Sequence, residues 1–589
     1  MYKREILMIK KMMVLYSVLA ISIMPTYAQN VMPPVFDASD GFVPVIGAKG
    51  MVSSRHKIAT QVGVDILEKG GNAIDAAAAV AFALAVVHPE AGNIGGGGFM
   101  VVHIAEQNKT TTIDYREYAA DRATHDLYVV DGKVDPFLSF ESRKSVGVPG
   151  TVAGMAMAVE KYGTLSLAEV IEPAYKLAKM GFSVGRHLER TFVTHREKLT
   201  AAPETREAFF KKDGSNYRFN DKLIQSDLAG SLKAIMDNGV DAFYKGEIAK
   251  KIVADQEKYD GIITMADMAA YQPVEREPVF GTYKGYKIAA MPPPSSGGVH
   301  VVQMLNMLEH DDIKSKGHNS AATLHLYIEA MRQAYADRSL YTGDPAFFDV
   351  PVDKLTDKDY AKEMRAKIPM DRARLSSEVA PTKGLQSESP QTTHFSVMDS
   401  QGNAVSNTYT VNYGFYMGMM AGGTGIVINN EMDDFDHLPY EPDVNGNISG
   451  KANAQEPRKR PRSSMTPTIV LKDDVPFLLT GSPGSSTIIN TVFQTIMNVI
   501  EFDMNIAAAS SKGRIHHEWM PDEVQVENSI NVDTINILKK MGHNVKLRSD
   551  GAVYGFRTLG ETASIVYKDG YFYGAHDPRN MDARTIGLN

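Results

Sequence analysis

From residue 60 to residue 87 the apolar positions recur at helical spacing. Val62, Val64, Ile66 and Leu67 come first, then, past Gly70-Gly71, an almost wholly apolar run from Ala76 to Val87. This pattern predicts two helices, the second buried. Residues Gly98–Ile104 and Thr110–Asp114 read as strands, and the stretch from about 150 to 340 is mostly helical, with Leu165–Lys179, Leu228–Asn238, Ile248–Tyr259 and Ala321–Asp337 as its clearest segments. A strand at Tyr286–Met291 runs into Pro292-Pro293-Pro294, where neither helix nor ladder continues easily. Residues 29–46 are rich in Pro and Val without a period and read as an extended arm. Residues 372–391 are polar, with Pro381 and Pro390, and read as a loop suited to bear a new chain end. Strands at Thr468–Leu471 and Phe477–Thr480 and helices at Ile488–Ile500 and Asp533–Met541 follow, with no internal repeat.

The sharpest alternation begins after Gln391. Thr392, His394, Ser396 and Met398 share one face of a strand, with Thr393, Phe395 and Val397 on the other. A Ser400-Gln401-Gly402-Asn403 turn and a second alternating run, Ala404–Asn412, complete a hairpin whose register sets Thr392 opposite Thr410. Thr-rich hairpins are usually structural. Cleavage before Thr392, however, would give that residue a free amine beside its own hydroxyl, a complete nucleophilic device.

The motifs around it decide between these readings. They include Gly71-Asn72-Ala73-Ile74-Asp75-Ala76-Ala77, the His88-Pro89 to Phe99 stretch with its four glycines, Asp114-Tyr115-Arg116-Glu117, and Pro149-Gly150-Thr151-Val152-Ala153-Gly154. Pro292-Pro293-Pro294-Ser295-Ser296-Gly297-Gly298 and Tyr335-Ala336-Asp337-Arg338 follow. Past the hairpin come Asn429-Asn430-Glu431-Met432-Asp433-Asp434-Phe435, Arg460-Pro461-Arg462-Ser463-Ser464-Met465 and Gly481-Ser482-Pro483-Gly484. In this order, from about residue 47 to Asp577-Pro578-Arg579, the set resembles the γ-glutamyltranspeptidase family, whose members cut themselves before a threonine in a TTH(Y/F)SV segment. The resemblance implies an α+β fold, the four-layer αββα sandwich of N-terminal-nucleophile hydrolases, made of two chains after self-cleavage. It also implies transfer of γ-glutamyl groups from glutathione and related compounds to water or to amino-acid and dipeptide amines, without a metal or other cofactor.

Site roles follow from the same resemblance. The Thr392 hydroxyl is expected to attack the Gln391 carbonyl, separating a large chain (29–391) from a small one (392–589), and then to serve as the enzyme's nucleophile. The freed amine, titrating near ~8 in model compounds, is a neutral base at physiological pH. Thr410 would orient it. Gly484 and Ser485 match the oxyanion-hole segment, although relatives commonly have two successive glycines there, so a positive φ at Ser485 would bring strain. Arg116 matches the arginine that grips the substrate α-carboxylate, a bidentate partner for its guanidinium. Glu431 and Asp434 match the pair for the α-ammonium, and Asn412, Ser463 and Ser464 the neutral hydrogen-bonding groups. Many bacterial relatives close the site with a tyrosine lid. Counting from Phe435 puts Asn445 at that place, with Tyr440 out of register, which predicts a more open site.

Composition narrows the remaining choices. With 43% hydrophobic and 22% charged residues the chain is globular, and a formal charge of −8 argues against a nucleic-acid partner. Lys3, Arg4, Lys10 and Lys11 precede an apolar run from Met12 to Met24, and Thr26-Tyr27-Ala28 offers a cleavage site. Residues 1–28 therefore read as a signal peptide, with a periplasmic or secreted product and no stable membrane insertion. The absence of cysteine excludes disulfides, thiolate metal sites and cysteine lipidation. Gly95–Gly98 lacks the spacing and Lys-Ser/Thr ending of a phosphate loop and reads as close chain packing. Neighbouring His516 and His517 would face opposite ways in a strand and do not suggest a metal pair. Two rival readings remain: a cephalosporin (glutaryl) acylase-type amidase, against which the retention of Asp434 argues, and a non-catalytic γ-glutamyl-binding protein.

Overall fold

The computed structural model describes residues 42–379, 392–437, 450–548 and 558–589. Two seven-stranded sheets form the centre of the unit Pro44–Asn589. One is ordered Val45–Gly47, Tyr571–His576, Ala563–Lys568, Val475–Thr480, Thr468–Lys472, Tyr286–Ala290, Val279–Tyr283. The other runs Arg584–Leu588, Gly50–Ser54, Thr392–Asp399, Ala404–Thr410, Gly97–Ile104, Lys109–Tyr115, Val274–Arg276. Every pairing in both is antiparallel.

The period of 2 along each strand gives the sheets two apolar faces. Met51, Val101, Met398 and Ala404 of one sheet meet Ala289, Ile469, Leu479 and Ile565 of the other in a core between them. The outer face of the sheet that holds Thr392 is covered by helices including Lys57–Glu68, Ala73–Val87 and Thr151–Tyr162. The outer face of its partner is covered by Gly297–Leu308, Ala321–Tyr341 and Thr487–Ile500. Helix, sheet, sheet and helix make the expected αββα sandwich.

The helix Ala73–Val87 shows how the hairpin of Thr392 is held in place. Asn72 caps it, its side chain accepting from the N–H groups of Ile74 and Asp75 while Asp75 reaches back to the Asn72 N–H, a reciprocal capping box. All fifteen residues of this helix are buried, and the hydroxyl of Tyr409, on the hairpin, donates to the Ala81 carbonyl at 2.8 Å. The glycine run packs as expected. A Cβ on Gly95 would lie 2.1 Å from the Val427 carbonyl oxygen, and one on Gly96 would lie 1.9 Å from that of Thr410.

Most predicted elements lie within two or three residues of their observed bounds. The end of the extended arm of residues 29–46 forms an edge strand, Val45–Gly47, which pairs with Tyr571–His576. A strand of three residues with Ile46 exposed gives the sequence no period to read. The expected signal peptide and leading arm as far as residue 41, Gln391 and the rest of the expected cleavage loop from 380, and Tyr440 and Asn445 lie outside the described residues.

Candidate active site

The hairpin register is the one the alternation predicts: Thr392 pairs with Thr410, and their Oγ1 atoms are 3.5 Å apart. Both residues are buried at 3% exposure, out of contact with bulk water. Thr410 Oγ1 also accepts from the Asn412 N–H at 2.9 Å, fixing its rotamer. Asn412 itself turns the chain at φ +53°, its side-chain amide donates to the Asn430 carbonyl at 3.1 Å, and its Oδ1 is buried without a hydrogen-bond partner. That bare acceptor is suited to an ammonium.

Arg116 stands one residue past the strand Lys109–Tyr115, and it is fully buried. Its Nε donates to the Pro461 carbonyl at 3.2 Å and Nη2 to the Arg462 carbonyl at 3.1 Å, so the loop before Ser463 fixes the plane of the guanidinium. Nη1 pairs with Glu431 and Nη2 with Asp434, both in the short 3-10 turn Glu431–Asp434. Burial works against the Arg116 charge, but Glu431, Asp434 and Glu117 more than offset it and raise its affinity for the proton. Burial pushes the Glu431 carboxyl up to about 8, with Arg116 opposing.

Ser463 Oγ accepts from the Met465 N–H at 3.1 Å, and the Ser463 carbonyl is held by the N–H of Ser296 at 2.8 Å. Ser485 has φ +60° and Gly484 φ +129°, directly before the helix Thr487–Ile500. The helix dipole and the amides of this turn therefore favour negative charge at the same end of the cavity.

Arg116, Thr392, Thr410, Asn412, Glu431, Asp434, Ser463, Met465, Ser485 and Ile488 line one cavity of about 10 Å³. Clefts of about 700 and 930 Å³ lie elsewhere and contain none of these residues, so chemistry rather than volume selects the site. Of the residues expected from sequence, Ser464 and Gly484 are not among those lining it. Ser464 Oγ instead accepts from Arg338 Nη2 at 3.0 Å, and the Gly484 carbonyl accepts from Thr487 Oγ1 at 2.6 Å, which shapes the turn.

Three features of the site were not anticipated. Arg55 Nη1 donates to the Thr392 carbonyl at 2.6 Å while its Nη2 pairs with Glu561 at 2.6 Å. Glu117 lies beneath Arg116, 3.7 Å from Nη1, with neither carboxylate oxygen in a hydrogen bond. Met465 and Ile488 supply apolar wall. Glu117 and Met465 at least belong to motifs visible in the chain, whereas nothing in the sequence links Arg55 to Thr392. His516 and His517 do part company, His516 Nδ1 meeting Asn490 at 2.7 Å and His517 Nε2 meeting Asp522 at 3.2 Å.

Comparison with known proteins agrees with the geometry. The family model described as gamma-glutamyltranspeptidase matches residues 59–586. The chain is 48% identical over 550 residues to the glutathione hydrolase proenzyme of Escherichia coli (strain K12), covering 93% of each. Among solved structures it is similar to cephalosporin acylase from Bacillus halodurans, with TM-score 0.81, 27% identity and coverage of 96% of this chain and 100% of that one. It is also similar to Helicobacter pylori gamma-glutamyltranspeptidase, with TM-score 0.55, 46% identity and coverage of 55% of this chain and 93% of that one.

Proposed function

The chain belongs to the γ-glutamyltranspeptidase family, and from that premise we propose how its own residues perform the reaction. It is a self-processing γ-glutamyltransferase and glutathione hydrolase with a threonine nucleophile. Thr392 Oγ1 attacks the carbonyl of Gln391, the peptide nitrogen leaves as the Thr392 amine, and water cleaves the resulting ester to give chains 29–391 and 392–589. The amine then takes the proton of the same hydroxyl as it attacks the γ-carbonyl of a bound substrate. Thr410 orients that hydroxyl, and Arg55 steadies the residue through its carbonyl.

The α-carboxylate of the substrate takes Arg116, and its α-ammonium takes Asp434 and Glu431 with Asn412 Oδ1. Ser463 and Ser464 complete the polar wall, Ser464 by holding the loop through Arg338. Amides of the Gly484-Ser485 turn receive the oxyanion, where fixed donors are worth most. The leaving amine departs, and water or an amino-acid or dipeptide amine resolves the γ-glutamyl ester. The observation that supports this reading best is the meeting of Thr392, Thr410, Arg116, Glu431 and Asp434 around one cavity.

The acylase reading fits less well. A glutaryl group has no α-ammonium and would leave Glu431 and Asp434 buried without a cation. Among the described residues no helix is long and apolar enough to cross a membrane. The basic start, apolar run and small-residue cleavage site of the N-terminal segment support export to the periplasm or the medium.

A denaturing gel with N-terminal sequencing, followed by incubation with γ-glutamyl and glutaryl anilides and with glutathione plus a dipeptide, tests the proposal. Two chains, the smaller beginning at Thr392, and turnover of the γ-glutamyl compound alone are expected. A single band or preferred glutaryl turnover refutes it.

A further inference from the structure

Outside the active site, His88, Glu90 and His187 converge. His88 closes the helix Ala73–Val87, Glu90 lies two residues on, and His187 is in the helix Arg186–Thr194. Their three side chains each bring one ligand atom within 4.8 Å of the others. Glu90 Oε1 is 3.1 Å from His88 Nδ1 and 3.2 Å from His187 Nε2. We propose that these three residues bind a divalent transition-metal ion, zinc in the first instance, as a structural brace.

Burial and ligand-atom spacing mark this cluster. Glu90 is 1% exposed, yet neither of its oxygens is in a hydrogen bond, and His88 Nε2 is likewise buried without a partner. Buried polar groups left in this state call for an ion or an ordered water. Tetrahedral zinc, with ligands at about 2.0–2.2 Å, sets neighbouring ligand atoms about 3.3 Å apart, close to both observed spacings. Two imidazoles and a carboxylate suit zinc better than magnesium or calcium. The His187 side chain is 28% exposed and leaves an entry path and an open coordination position for water.

Arg55, the nearest arginine to act on these groups, is already paired with Glu561. In the other convergent set, His325, Glu329 and His543, the carboxylate is already committed to cations. Glu329 is taken by Arg332 and Arg374, and His325 Nδ1 lies 2.9 Å from His543 Nε2.

The brace would tie the helix Arg186–Thr194 to the turn beneath the nucleophile hairpin. Gly92 in that turn sits so close that a Cβ would lie 2.5 Å from the Tyr409 hydroxyl and 2.8 Å from Thr393 Cγ2. The proposal does not depend on the catalytic reading.

Whole protein stripped with chelator and dialysed is titrated with Zn²⁺ by calorimetry. Zinc X-ray absorption on the loaded wild type reads the ligands directly. One equivalent per chain, bound through two imidazole nitrogens and oxygen, with a raised melting temperature, is the expected result. His187→Gln, on the rim and least harmful to folding, and Glu90→Gln should each weaken binding by about 100-fold or more, while His325→Gln changes nothing. Absence of stoichiometric binding, absorption lacking two imidazoles, or binding unaltered in folded His187→Gln protein would each overturn the assignment.

Discussion

Arg116 and Asp434 form an ion pair inside the cavity that Thr392 and Thr410 also line. The groups proposed to receive opposite ends of an amino-acid head therefore satisfy each other when no substrate is present. A γ-glutamyl head carries its own pair of charges, so it can enter by exchange: its carboxylate takes Arg116 and its ammonium takes the acids. Buried charge is conserved through the exchange, which avoids leaving an uncompensated ion in a dry site. Selectivity for a zwitterionic head follows from the same arrangement.

Arg116→Lys tests the geometry of that exchange. A lysine keeps the charge but cannot span Glu431 and Asp434 while donating to the Pro461 and Arg462 carbonyls. Misplacing the head misplaces the γ-carbonyl, and kcat/KM for a γ-glutamyl anilide should fall by roughly 100-fold or more. Far-ultraviolet circular dichroism should remain native. An unchanged kcat/KM would remove Arg116 from the site.

Thr392→Ala should yield a single unprocessed chain and lose turnover by roughly 10⁴-fold or more, because both reactions use one hydroxyl. The Arg55 bond to the residue 392 carbonyl is a backbone contact and survives the substitution. The variant should accordingly stay folded. Maturation into two chains at the wild-type rate would mean the cleavage point is elsewhere.

Glu117 makes a pH-dependent contribution whose sign is fixed by its surroundings. Burial pushes its carboxyl up to about 8, with Arg116 as the main opposing influence. The folded state thus binds this proton more tightly than the unfolded one. Stability that rests on the protonated form is complete at low pH and is lost as pH rises from about 4.5 through about 8. Glu117→Gln is neutral throughout, so its melting temperature should gain on that of the wild type between pH 6 and pH 9. The difference at pH 9 should be about 2–4 kcal/mol. A gap that stays level from pH 6 to pH 9 would mean Glu117 is already ionised in the folded protein.

The parts of the fold legible in the chain are those set by short-range pattern. A strict alternation and a four-residue turn determine the pairing of Thr392 with Thr410, since a one-residue slip would turn every side chain to the other face. The long apolar run marks the buried helix Ala73–Val87. The edge strand Val45–Gly47 is not legible, because its partner Tyr571–His576 stands at the opposite end of the chain. Arg55 fails to announce itself for a related reason: a lone arginine has no periodicity, and its partners Thr392 and Glu561 are distant in sequence. Apart from Thr392 and Thr410, the site residues were legible only through motif resemblance. Their mutual pairing, and the place of Glu117 beneath Arg116, come from the three-dimensional arrangement.

Ser485 is where a local rule is broken at the centre of the site. Its φ of +60° lies in the left-handed region, where an L-residue with a Cβ pays roughly 1–2 kcal/mol relative to glycine. The turn cannot easily relax, because Gly484 before it stands at φ +129° and the helix Thr487–Ile500 begins two residues later, with the Ile488 N–H donating to the Ser485 carbonyl at 3.1 Å. Ser485→Gly removes the strain but adds freedom to the unfolded chain, which offsets part of the gain. The net stabilisation should be up to about 1 kcal/mol, read as a higher melting temperature. Activity should stay within about threefold of wild type, because glycine keeps the amide proposed to receive the oxyanion. Ser485→Val should move both quantities the other way, by about 1–3 kcal/mol in stability, since a β-branched residue tolerates positive φ least. If Ser485→Gly is instead less stable or loses most of its turnover, the serine hydroxyl itself holds the turn, and the backbone alone does not account for the oxyanion site.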